Sequence, residues 1–161
     1  MIDAPPLLAP LVDGLKAPFS RPFETSRSQP AKGWTLVVAK DRFTGQIDCT
    51  IRARALTYRN GVLTFRFGHS VDTANALFRV EGGPARSVGE VAVEAAGQGA
   101  SFLTANTRNP SNGEVRLPLS EVEGRRSVAI RPNLHAPVRT FSLDGFGAAL
   151  AAAAGKSCPV R

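Results

Sequence analysis

Catalytic or metal chemistry in this chain would have to come from a small set of side chains. His69 and Asp72 share one short stretch, and His135 lies far from them. A metal site needs three or four converging ligands, so all three would have to meet. Asp41, Asp48, Glu121 and Glu123 could supply a general acid and a general base if two of them converged in a cleft; otherwise they are scattered surface carboxylates. Ser70 has no nucleophile-elbow context and reads as a loop serine. Arg52, Arg66 and Arg79 fall on predicted sheet surfaces. They could bind an anion through charge-assisted hydrogen bonds, or they are solvated residues paired locally with Asp or Glu. No residue is assigned a catalytic role, no metal-ligand set is assigned and no cofactor is expected.

The clearest strands and the clearest turn lie between Trp34 and Gly68. Asn60-Gly61 separates two β-rich runs, and a two-residue type I′ turn needs positive φ at both central positions, which Asn and Gly adopt most cheaply. Arg59 then faces Val62, Tyr58 faces Leu63 and Leu56 faces Phe65, so Leu56, Tyr58, Leu63 and Phe65 share a face. Cys49, Ile51 and Ala53 have the opposite parity. Keeping both sets on the core side requires a β-bulge or a strand break near Arg54-Ala55, which also places Arg52 on the face of Arg66.

Residues 1–33 carry Pro5, Pro6, Pro10, Pro18, Pro22 and Pro30, and read as a proline-rich, weakly ordered N-terminal arm. Within it, Leu7, Leu8, Leu11, Val12 and Leu15 have the spacing of a short amphipathic turn. Residues 34–161 read as one domain. Strands are predicted from Trp34, within Thr73–Val80, over the Glu90–Ala95 run, at Ser101–Ala105, Glu114–Leu119, Ser127–Arg131 and Arg139–Leu143. Turns are predicted at Glu81–Pro84 and Asn109–Gly113. Pro118 implies an edge strand or a strand end. From Asp144 the alanine-rich run favours a helix with Phe146, Leu150 and Ala149 on one face, Ser142 or Asp144 as cap and Gly155 as stop. Short strands at regular spacing plus one terminal helix indicate a mainly β fold, an antiparallel β-sandwich or partly open barrel.

Composition narrows the role. Twenty Lys and Arg against thirteen Asp and Glu give a net charge of +7 over 161 residues. The basic residues are dispersed, with no run longer than Arg125-Arg126, which argues against a nucleic-acid footprint. No apolar run approaches the roughly 20 residues of a membrane helix. The opening MIDAPPLLAPLVDGLKAPF lacks a basic n-region, so the expectation is either a cytoplasmic protein or the mature form of an exported one. Cys49 and Cys158 are the only cysteines. Spacing leaves open whether they pair, tying the chain's end to its first sheet, or are one buried thiol and one in a frayed tail.

The Trp34 strand, the Thr44-Gly45 turn leading to Cys49, and Leu143-Asp144-Gly145-Phe146-Gly147-Ala148-Ala149-Leu150 followed by Cys158 resemble the invasion-associated locus B family. The resemblance covers both ends of the domain. It implies a small exported β-sandwich with no established catalytic residues, periplasmic or secreted, and an oxidising compartment in which a Cys49–Cys158 disulfide would persist. The terminal helix needs an apolar surface for Phe146 and Leu150, so it is expected to pack on the sheet that carries Cys49 and bring the two sulfurs within bonding reach. The favoured reading is a non-enzymatic, exported or envelope-associated binder of a protein or envelope component. The alternatives are a small envelope hydrolase acting on glycan or peptide, and a basic nucleic-acid-binding β domain.

Overall fold

A computed structural model describes residues 22–97 and 113–159. The predicted amphipathic turn at residues 7–15, the strand at 101–105 and most of the turn at 109–113 lie outside the described residues. The elements are β1 (Phe23–Ala31), β2 (Trp34–Asp41), β3 (Ile47–Ala53), β4 (Leu56–Arg59), β5 (Val62–Arg66), β6 (Leu77–Val80), β7 (Arg86–Ser87), α1 (Val88–Gly97), β8 (Glu114–Pro118), α2 (Leu119–Val122), β9 (Ser127–Arg131), β10 (Arg139–Ser142) and α3 (Phe146–Gly155). They form a six-stranded sheet, β1-β2-β3-β4-β5-β8, and a four-stranded sheet, β10-β9-β6-β7, with every pairing antiparallel.

The central hairpin has the expected register, with Arg59 opposite Val62, Tyr58 opposite Leu63 and Leu56 opposite Phe65. Asn60 at φ 50° and Gly61 at φ 82° supply its two left-handed positions. The parity change upstream is a strand break. β3 and β4 form a second tight hairpin in which Ala53 pairs with Leu56, and Ala55 takes φ 62°. Cys49, Ile51, Leu56, Tyr58, Leu63 and Phe65 are consequently all buried. Pro118 ends β8, which is an edge strand, and Val115, Leu117 and Leu119 point inward as expected.

β7 and the short α2 are additions to the expected elements, and two expected segments are built differently. Residues 23–31, assigned to a weakly ordered arm, form β1, paired along β2 with an irregularity between Ser28 and Ala31. Its side chains are mostly exposed, apart from those at its end, where Ala31 packs against the core. The Glu90–Ala95 run is helical rather than extended. Val88, Val91 and Ala92 are buried at spacings of three and four, and this helical stripe prevails over the local alternation of Glu, Val and Ala.

The inner face of the large sheet is covered by two partners. Toward β5 it meets the four-stranded sheet, where Phe65 packs edge-on against Phe141 at 5.0 Å between ring centroids. Phe78, Val128 and Ile130 fill the same core. Toward β1–β3 it is covered by α3. Phe146 lies 5.2 Å from the Trp34 ring and 5.5 Å from Tyr58, and Trp34 Nε1 donates to the Asp144 carbonyl at 2.6 Å. Gly145 begins the helix at φ 90°, and a Cβ there would stand 2.9 Å from both Ala31 Cβ and Trp34 Cδ1. Neither Ser142 nor Asp144 caps the helix, since the Ser142 hydroxyl accepts instead from the Asp144 amide.

The end of α3 sets the disulfide. The helix ends at Gly155 as expected, but Ser157, at φ 62°, rather than the glycine takes the left-handed position beyond it. The Ser157 amide donates to the Ala154 carbonyl and the Cys158 amide to that of Ala153, the paired bonds of a Schellman motif. This reversal turns Cys158 inward beside Ala153, and both are buried. Cys158 is bonded to Cys49 with a Cα–Cα distance of 5.7 Å. The helix therefore packs on the sheet that carries Cys49 and is locked to it.

Candidate functional site

The three arginines named from sequence do not form one patch. Arg52 and Arg66 are exposed on the outer face of the six-stranded sheet, where Arg52 pairs opposite Thr57 and Arg66 donates to the Thr57 hydroxyl at 2.8 Å. Arg79 belongs to the other sheet, on the strand face opposite the buried Phe78. Because the two sheets turn their inner faces toward one core, these outer faces point apart.

The structure gives Arg79 a different companion. In the β6–β9 register Leu77 lies opposite Arg131 and Arg79 opposite Ala129. Directly opposed residues on one face are about 4.5–5.5 Å apart and diagonal ones about 7–8 Å. Arg79 and Arg131 are thus diagonal neighbours, with Leu77 and Ala129 at the other two corners. These four, with Ala85 and Val138, line an open groove of about 240 Å³. Neither guanidinium meets a carboxylate among the described residues. The floor is apolar and the rim carries two unneutralised cations, so the groove can accept an anionic group attached to an apolar one.

Other basic residues are committed. Arg59 holds both oxygens of Asp48, with Nη2 to Oδ2 at 2.6 Å and Nε to Oδ1 at 3.3 Å. Arg86 pairs with Glu121 at 2.6 Å and Glu94 at 3.6 Å, and lies over the Phe78 ring. The dispersed charge read from sequence is therefore partly consumed in local pairs.

Of the four candidate acids and bases, Asp41 and Asp48 line one cleft of about 380 Å³ with Phe23, Ile47 and Arg59. Both are occupied. Asp48 is held by Arg59, and Asp41 Oδ1 accepts the amides of Phe43 at 2.8 Å and Thr44 at 3.3 Å, closing the β2–β3 turn. Those amide dipoles, Phe43 first and then Thr44, hold the Asp41 carboxyl below its ordinary value. A carboxyl kept ionised in this way is a poor proton donor, and the two acids are not poised as an acid–base pair.

The loops bearing the histidines do meet. Asn133 donates through Nδ2 to the Asp72 carbonyl and accepts through Oδ1 from the His135 amide, both at 2.9 Å. The Asp72 carboxylate is taken by the Ala74 amide at 2.9 Å. No group of three metal-ligating side chains is assembled among the described residues.

Arg131 was not singled out from sequence. Its only signal is strand pairing, because it sits at the end of β9 and comes near Arg79 only once the β6–β9 register is known. No family model, curated protein or solved structure matches the chain. Among the described residues no helix is long and apolar enough to cross a membrane.

Proposed function

We propose that this chain is an exported, non-enzymatic β-sandwich that binds a protein or envelope component, and that the groove between Arg79 and Arg131 is where the partner docks. The observation that carries the reading is the pair of arginines that, among the described residues, have no carboxylate partner and stand above an apolar floor. Unpaired guanidinium groups offer charge-assisted hydrogen bonds to carboxylate or phosphate, and Leu77, Ala129 and Val138 offer apolar contact beside them. At about 240 Å³ the groove is smaller than the roughly 300–1,000 Å³ of clefts that enclose a small molecule, and is of a size to take partner side chains.

Export is supported by the resemblance of Trp34–Cys158 to the invasion-associated locus B family and by the Cys49–Cys158 disulfide, a bond that persists in oxidising compartments. The hydrolase alternative has the Asp41–Asp48 cleft in its favour, but there Arg59 and two backbone amides already hold the carboxylates. The nucleic-acid alternative would need a basic stripe, whereas Arg52 and Arg66 lie on one sheet and Arg79 and Arg131 on the other.

A photoreactive benzoylphenylalanine in place of the exposed Val138, on the groove's rim, tests the reading in the native envelope. A discrete cross-linked adduct that disappears when Arg79→Glu and Arg131→Glu are added is the expected result. An adduct indifferent to the charge reversal, or none at all, would contradict it.

A further inference from the structure

The open edge of the four-stranded sheet is a second feature of the binding surface. β10 is the edge strand, and its hydrogen-bond phase follows from two contacts. The Leu143 amide donates to the Arg126 carbonyl at 2.8 Å in the register that pairs Phe141 with Val128 and Arg139 with Ile130. The Glu81 amide donates to the Ser127 carbonyl, so Ser127 and Ala129 direct their main-chain groups toward β6. Bonded and non-bonded pairs alternate along an antiparallel ladder. Arg139 and Phe141 therefore bond to β9, while Thr140 and Ser142 turn their N–H and C=O groups to the open side. Among the described residues no strand pairs there.

That edge borders an open cleft of about 530 Å³. The opposite wall is made by two hairpin ends of the large sheet, the β1–β2 turn with Lys32 and the β3–β4 turn with Arg54. Arg139 completes the rim, fixed 4.8 Å from the Phe141 ring centroid and donating to the Arg66 carbonyl at 3.3 Å. Among the described residues that line the cleft, one carboxylate, Asp144, stands against these three cations. Lys32 and Arg54 have no ion-pair partner among the described residues.

We infer that β10 takes an extended acidic segment of a partner protein as an added strand, bonded through the main chain of Thr140 and Ser142, with Lys32, Arg54 and Arg139 on its carboxylates. An open edge supplies main-chain affinity that is blind to sequence, and the surrounding charge selects the partner. An added strand would extend the sheet whose outer face holds the Arg79–Arg131 groove. The inference rests on the reading of this chain as a binding protein, but not on the groove itself.

The test uses a fluorescent octapeptide of alternating glutamate and valine, and the same peptide N-methylated at every second residue, followed by anisotropy. Thr140→Pro removes an outward N–H without breaking the ladder to β9, and Lys32→Glu with Arg54→Glu reverses the charge. The unmethylated peptide should bind, and N-methylation, Thr140→Pro and the charge reversal should each weaken it about tenfold. The methylated peptide needs no altered protein, so a folding defect in Thr140→Pro leaves the test intact. No binding overturns the inference. So does binding that ignores methylation and Thr140→Pro but follows the charge reversal, which describes an anion site without an added strand. Binding lost only with Arg79→Glu and Arg131→Glu upholds the groove and overturns the edge; binding unaffected by that pair but lost on methylation upholds the edge independently of the groove.

Discussion

Replacing Cys49 and Cys158 together by alanine removes the bond that holds α3 on the sheet. The cross-link spans a sequence separation of 109 residues, for which the loop-entropy model gives about 4.7 kcal/mol at 25 °C. A domain of this size has roughly 5–15 kcal/mol of stability in total, so the loss is a third of it or more. With a urea slope of about 2 kcal/mol per molar, the unfolding midpoint should fall by roughly 2–3 M. Both cysteines are buried beside Ala153 and the β2–β3 core, so the packing lost with the two sulfurs adds to the entropic cost rather than offsetting it. The assay is equilibrium urea unfolding followed by circular dichroism and by the fluorescence of Trp34, the chain's only tryptophan, which touches Phe146. Reduced wild-type protein is the control and should unfold near the double variant. A midpoint within a few tenths molar of the oxidised protein would show that packing of Phe146, Ala149 and Ala153 holds the helix without the bond, and would refute the reasoning.

Gly145→Ala should destabilise by about 2–4 kcal/mol, since it places a side chain in the left-handed region and drives its Cβ against Ala31 and Trp34; thermal unfolding measures it. Trp34→Phe keeps the ring contact with Phe146 but removes the Nε1 donor from the Asp144 carbonyl, and should cost about 1–2 kcal/mol in urea unfolding. Asp41 has a native pKa below its ordinary 3.8, so its contribution is complete above that value and is lost as pH falls through the lower native one. The amide proton chemical shifts of Phe43 and Thr44 should therefore move as pH falls below 3.8 and these bonds weaken, and Asp41→Ala should abolish that titration.

Local conformational demands were easiest to read. Asn60-Gly61 declared its hairpin because few residue pairs accept two positive φ angles, and Pro118 declared an edge because it cannot donate to a ladder. The break between Ala53 and Leu56 was readable as a parity conflict, although Ala55 in a left-handed conformation gives no compositional hint of it. β1 was hidden because Glu24, Thr25, Ser26, Arg27 and Ser28 expose both faces and so carry no period. α1 was misread because short alternation and a helical stripe coexist around Val91, and burial of Val88 and Ala92 decides between them. The Schellman reversal escaped notice because serine, not glycine, occupies its left-handed position at Ser157. The site was the least legible part. Arg79 could be named as a surface arginine, but its pairing with Arg131 and its separation from Arg52 and Arg66 depend on which strands join which sheet.

A ¹⁵N-resolved titration with a short acidic, leucine-containing peptide tests the binding reading most directly, because it locates the ligand and shows whether the ligand survives. Shifts that include Leu77, Arg79, Ala129 and Arg131, weakening as salt rises and leaving the peptide intact, are the predicted result. Shifts centred on Asp41 and Asp48 with appearance of cleaved peptide would contradict it.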